Sequence, residues 1–216
     1  MQRQVELLQP DAGGRIADIG CGNGGFITAL SGGRPRIAGS RVIGLDLVRD
    51  ALCQWRSRPG GHERLACQAQ LSLTAGAALP IADASLDGAM ASLLLSYVEE
   101  PELLIQEMAR VLRGGARLVI STMRPDADVS SMWRDGVMEA AVSRRDDLES
   151  GRLLESGQSF LNDGARLLSL GDKGVFRFWE RDELGDLLDH GGFSLVHTED
   201  AFGDPSQAVI ALAVRS

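Results

Sequence analysis

Asp18-Ile19-Gly20-Cys21-Gly22-Asn23-Gly24 is the segment of this chain whose residue types and spacing can do chemistry. An acid stands after the short run Arg15-Ile16-Ala17, three glycines alternate through the turn, and Phe26-Ile27-Thr28-Ala29-Leu30 opens a helix. Glycines permit positive φ and let a ligand lie against the main chain, the use that such turns have in nucleotide-binding α/β units. The expected ligand is a nucleoside. Where this kind of turn serves a dinucleotide, a helix N-terminus receives a pyrophosphate, which a carboxylate just before the turn would oppose. Asp18 suits instead a ligand with a cationic or amino-bearing end. A second acid, Asp46, ends the apolar run from Arg41 to Leu45, where a carboxylate can accept hydrogen bonds from ribose hydroxyls. The interval between the two acids exceeds the customary ~20 residues, and a lengthened loop from Ser31 to Ser40 accounts for the excess.

The acid-first turn resembles motif I of the class I S-adenosylmethionine-dependent methyltransferases. Leu79-Pro80-Ile81-Ala82-Asp83-Ala84-Ser85-Leu86-Asp87 is similar to the segment before the fourth strand in their UbiE-like small-molecule group. Tyr97 to Pro101, followed by Glu107 to Ile120, resembles that group's helix, glycine turn and fifth strand. The likeness runs almost continuously over residues 15 to 122 and resumes from Phe178-Trp179 to Phe193. It implies S-adenosylmethionine as cofactor, held by Asp18, Gly20, Cys21, Gly22, Asn23, Gly24, Asp46, Leu47, Ala75, Gly76 and Ser92, and a methyl acceptor that is a small molecule with an oxygen, nitrogen or carbon nucleophile. The family often has an acid four residues before the Leu-Pro pair to meet the adenine amino group. Ala75 stands there instead, leaving the backbone of Ala75 and Gly76 to line the base.

Other reactive side chains are sparse. Tyr97 is the candidate base by family position, for an acceptor whose proton must be removed. Cys21, Cys53 and Cys67 are odd in number and lack metal or disulfide spacing, so they read as buried small residues or free thiols of a reducing, cytoplasmic compartment, and no metal site is expected. Cys21 in the turn is expected to serve through its backbone. His62, His190 and His197 are scattered, and His190 reads as a helix C-terminal residue before Gly191-Gly192.

The elements that must position these residues form an alternating α/β pattern. Strand-like runs at 15–19, 41–47, 71–74, 87–92 and 116–122 alternate with helical or loop segments, which predicts a parallel sheet covered on both faces. Helices are expected at Pro101–Arg113 and Arg181–His190. The runs Phe193–His197 and Ala208–Val214 are joined too closely for a parallel crossover, so the last strand should be antiparallel. The resemblance supplies the order 3-2-1-4-5-7-6 in a seven-stranded Rossmann-like sheet. Composition fits a single domain over the 216 residues, with 44% hydrophobic and 24% charged residues. A net charge of -8 disfavours nucleic-acid substrates, and the longest apolar run, Ala89 to Leu95, is too short to cross a membrane.

Residues 124–177 are an expected helical insertion after the fifth strand, a lid or substrate-binding segment. Seven of the ten aromatic residues occur from Trp133 onward. Only about 14 residues precede the first strand, where the family commonly has a helical cover. The insertion, a second subunit of a homodimer, a partner chain or an upstream domain could supply that cover. A non-catalytic scaffold, a partner-dependent subunit and a nicotinamide-dependent oxidoreductase stay open as alternatives.

Overall fold

Short β-branched and aliphatic runs flanked by glycine turns build the sheet. The computed structural model of the protein describes residues 1–9, 13–22, 24–26, 29, 40–48, 51–53, 65–70, 78–127 and 176–216. The strands are β1 (Arg15–Ile19), β2 (Arg41–Asp46), β3 (Leu65–Gln70), β4 (Leu86–Ser92), β5 (Leu112–Met123), β6 (Phe193–Ala201) and β7 (Ala208–Arg215). They form one seven-stranded sheet in the order β3-β2-β1-β4-β5-β7-β6. β7 runs antiparallel to both β5 and β6, and the pairs from β3 to β5 are parallel. The expected order and the antiparallel last strand are both present.

β3 departs from expectation. The sequence pattern favoured residues 71–74, but Leu65–Gln70 pairs with Val42–Asp46. An edge strand needs only one hydrogen-bonded neighbour, so Leu-Ala-Cys-Gln-Ala-Gln forms a ladder without the alternation that would advertise it. Residues 71–74 lie outside the described residues.

Alternation along the strands divides the core. Ala17, Ile19, Ala89, Ala91, Leu118 and Ile120 face α2 (Pro101–Val111) and α3 (Arg181–His190), where they meet buried Leu104, Met108, Leu184 and Leu188. Ile16, Met90 and Val119 face the other way and pack with Phe26 and with Val5 and Leu8 of α1 (Gln2–Leu8). α1 is thus a short cover over one face. Leu8 reaches Gly88 so closely that a Cβ there would sit 3.2 Å from Leu8 Cδ1.

The helix ends follow ordinary capping physics. Pro101 and Glu102 occupy the first turn of α2 and Arg110 its last, in keeping with the helix dipole. α2 stops at Val111, two residues before the expected Arg113, because Leu112 already adopts extended backbone. α3 begins with a reciprocal capping box between Glu180 and Glu183. At its other end His190 Nδ1 donates to the Asp186 carbonyl at 2.7 Å, in the C-terminal role expected of it.

Candidate functional site

The glycine turn leaves β1 and is tied to β2 by its own backbone. Gly20 and Cys21 N–H both donate to the Leu45 carbonyl, at 2.8 and 3.0 Å. Gly20, Gly22 and Gly24 have φ of 74°, 51° and 82°, the left-handed region where a side chain is strained. At Gly22 a Cβ would meet nothing within 4 Å. The bare backbone there borders open space that a ligand can occupy.

Asp46 closes the turn from the end of β2. One carboxylate oxygen accepts the Gly22 N–H at 2.7 Å, and the other accepts the Val48 N–H at 2.8 Å. Each oxygen retains a second lone pair, so the group can hold the turn and still accept from a diol.

Asp18 lies beneath this arrangement and is 2% exposed. Burial, with the neighbouring charge of Asp46 as a second cause, pushes its carboxyl up to about 8. A buried acid beside another acid favours an approaching cation, which would restore its ionised form, and disfavours a pyrophosphate. The Cys21 thiol is also pushed up, by burial first and then by Asp18 and Asp46. It is therefore a poor nucleophile.

A cavity of about 390 Å³ opens over these groups. Gly20 and Asp46 form one wall with Leu47 and Val48, while Ser92, Leu93 and Tyr97 form the facing one. The structure thus brings Gly20, Asp46, Leu47, Ser92 and Tyr97 together around one space, with Asp18 and Gly22 beside it. Cys21 is buried, and Gly24 N–H turns back to the Cys21 carbonyl at 3.0 Å. Asn23, Ala75, Gly76 and most of the expected insertion, residues 128–175, lie outside the described residues. Tyr97 is 55% exposed, its ring edge-on to Phe176 at 4.9 Å, and Phe176 meets Phe178 at the same separation.

Sequence reasoning missed three contributors. Val48 and Leu94 line the cavity, and Leu93 has a φ of 57°. A leucine in left-handed backbone has no sequence signature.

The family-like segment before β4 has a structural part to play. Arg110 donates to the Leu79 carbonyl at 3.0 Å, to the Ile81 carbonyl at 2.9 Å and to Asp83 at 2.5 Å. Glu107 accepts the Leu79 N–H at 2.7 Å and is held below the usual carboxylate range chiefly by its hydrogen bond from Arg110. Asp87 pairs with Arg113 and accepts the Arg15 N–H at 2.8 Å. Asp83 and Glu107 pin the loop before β4 to α2, Asp87 ties β4 to β5 and β1, and none of the three lines the cavity.

Residues 17–120 match the family model described as Methyltransferase domain. An O-methyltransferase of Penicillium expansum is 30% identical over 156 residues, covering 69% of this chain and 54% of that protein. The chain spans about half the length of such curated relatives. Among solved structures, an S-adenosylmethionine-dependent methyltransferase from Mesorhizobium loti superposes with a TM-score of 0.63 at 22% identity, over 99% of this chain and 96% of that one. A geranyl diphosphate C-methyltransferase from Streptomyces coelicolor, solved with S-adenosyl-L-homocysteine, gives 0.62 at 16% identity, over 100% and 76%.

Proposed function

Because residues 17–120 belong to the methyltransferase-domain family, we propose that this chain binds S-adenosylmethionine and transfers its methyl group to an oxygen, nitrogen or carbon of a small molecule. The observation that carries the reading is the buried carboxyl of Asp18 beside a glycine turn whose backbone borders open space at Gly22. A buried carboxyl without a cationic partner is costly to ionise, and a cationic nucleoside would supply that partner.

The residues present fit this cofactor. Asp18 would balance its positive charge, the backbone at Gly20 and Gly22 would lie against it, Asp46 would accept from its ribose hydroxyls, and Leu47 and Ser92 would line its two sides. Asn23, Gly24, Ala75 and Gly76 complete the set by resemblance. When bound, S-adenosylmethionine supplies a methyl group already activated by a sulfonium. The protein's task is then positioning, since holding an acceptor in line about 3–3.5 Å from the methyl supplies much of the acceleration. Tyr97, on the rim, would orient the acceptor, and its hydroxyl would be the candidate base for an alcohol or carbon acid.

One domain spans the chain in this reading, with residues 124–177 as the acceptor-selecting segment. The edge-on packing of Phe176, at the end of that segment, against Tyr97 supports the role. The exposure of Leu47, Val48 and Tyr97 at the cavity mouth leaves apolar surface for that segment, a second copy of the chain or a partner chain to cover. No helix among the described residues is long and apolar enough to cross a membrane. A cytoplasmic location belongs to the proposal and rests on the odd number of cysteines, their lack of disulfide spacing, and the acidic composition.

Calorimetric titration with S-adenosylmethionine and, separately, NAD+ tests the cofactor assignment. Saturable binding of the first and none of the second is expected, and the reverse would transfer the chain to the oxidoreductases. Transfer of labelled methyl into a pool of small-molecule acceptors tests catalysis, and binding without transfer to any of them would favour the scaffold reading.

A further inference from the structure

α1 presents Val5, Leu7 and Leu8 to the sheet, yet Gln4, between them on the same buried surface, is 0% exposed. Its Nε2 donates to Ser121 Oγ at 2.9 Å and to Ser92 Oγ at 3.2 Å, and the two hydroxyls are 3.2 Å apart. Its Oε1 has no hydrogen-bond partner among the described residues. A buried amide with an idle oxygen is a poor device for stability, and a leucine or methionine would suit the apolar surroundings better. The amide must therefore be valued for what it holds in place.

What it holds is the carboxyl end of β4. Ser92 and Ser121 are paired across β4 and β5 and share the face that carries Met90, Val119 and, on β1, Asp18. The next residue, Leu93, has a φ of 57°, and its N–H donates to both the carbonyl and the hydroxyl of Ser121, at 2.9 and 3.2 Å. Left-handed backbone at a leucine persists only where its surroundings over-determine it. From this residue the chain turns through Leu95–Tyr97, with Tyr97 N–H closing on the Leu94 carbonyl at 2.9 Å. Leu93, Leu94 and Tyr97 are cavity wall. The beginning of α1 sits at the same edge, with Met1 Cε 3.4 Å from where a Cβ of Gly25 would stand.

We infer that Gln4 is a positioning residue: through the hydroxyls of Ser121 and Ser92 it holds the left-handed exit of β4 at Leu93, so that α1 sets the wall that carries Tyr97. Only the identity of the cavity's ligand rests on the function proposed above. The chain from Gln4 to Leu93 stands without it.

The test compares Gln4→Met, which keeps the volume and removes the donor, with Leu8→Ala, which destabilises α1 from its other end. Amide exchange at Leu93 is read against the β7 amide of Ala211, and S-adenosylhomocysteine affinity is read by calorimetry. Gln4→Met should speed Leu93 exchange at least tenfold relative to Ala211 and weaken binding at least fivefold. Leu8→Ala should lower Tm as much while leaving that exchange ratio and the affinity within twofold. Ser121→Ala, which keeps Gln4 in place, should reproduce the Leu93 effect, and Gln4→Leu, which also removes the donor, decides the matter should Gln4→Met fail to fold. An unchanged Leu93 ratio in Gln4→Met or Ser121→Ala, or an equal change in Leu8→Ala, overturns the inference. Absence of S-adenosylhomocysteine binding by the unmodified protein would sink the cofactor assignment, and the exchange ratios would still decide the part played by Gln4.

Discussion

Replacing Asp46 by alanine removes one carboxylate from two tasks, and the structure allows the two costs to be separated. In the free protein it leaves the Gly22 and Val48 N–H groups without their acceptor. The Val48 amide is exposed, so water replaces the carboxylate at little cost. The Gly22 amide is partly buried, and losing a charged acceptor there costs about 1–2 kcal/mol, the low part of the range for such bonds. For a domain of this size that lowers Tm by roughly 2–8 °C. On binding, the missing ribose acceptor costs about 1–3 kcal/mol, and re-forming a loosened turn adds about 1 more, so affinity for S-adenosylmethionine should fall about 30- to 700-fold. Asp46→Asn keeps one oxygen and should lose roughly half of that free energy. A third effect is diagnostic. The Asp46 charge is the second cause of the raised Asp18 carboxyl, so the pH midpoint of binding should move down from about 8 in Asp46→Ala. Calorimetry from pH 6 to 9, with melting curves alongside, reads all three. A folded Asp46→Ala protein with unchanged affinity would refute the ribose assignment, and an unmoved midpoint would refute the coupling of the two acids.

Asp18 itself makes a prediction with a definite sign. Its folded value of about 8 lies above the ordinary carboxylate value of 3.8, so the native state holds a proton that the unfolded chain releases, and the stability of the free protein should fall as pH rises between those values. Affinity for S-adenosylmethionine should rise over the upper part of that window and level off above pH 8. Asp18→Asn should flatten both profiles, and a titration in buffers of different ionisation enthalpy would count the proton released. Gly22→Val should abolish cofactor binding while costing about 1–2 kcal/mol of stability, because its φ of 51° strains any side chain and the Cβ enters the open space. Normal binding by that variant would reduce the turn to a structural connection. Gly191→Ala should do the opposite: its Cβ would collide with Ile105 of α2, costing about 1–3 kcal/mol by overpacking, while cofactor affinity in the folded fraction stays within twofold.

The sequence by itself determined what depends on neighbours along the chain. β1, the glycine turn, α2 and α3 were legible because apolar periodicity, glycine spacing and capping residues act within a few residues of one another. The two acids Asp18 and Asp46 were legible because strand ends on a parallel sheet are ligand positions, and the strand order came with the family resemblance. Only the tertiary structure decided that β3 is Leu65–Gln70, since an edge ladder is chosen by its partner β2 and not by its own pattern. It also decided that Asp83, Asp87 and Glu107, which look functional in a motif, are spent on Arg110, Arg113 and backbone amides. Leu93 in left-handed backbone, the raised carboxyl of Asp18 and the reach of Gln4 across to Ser121, 117 residues away, have the same origin. Burial and long-range hydrogen bonds arise when distant strands are laid side by side, and no local arrangement of residue types encodes them.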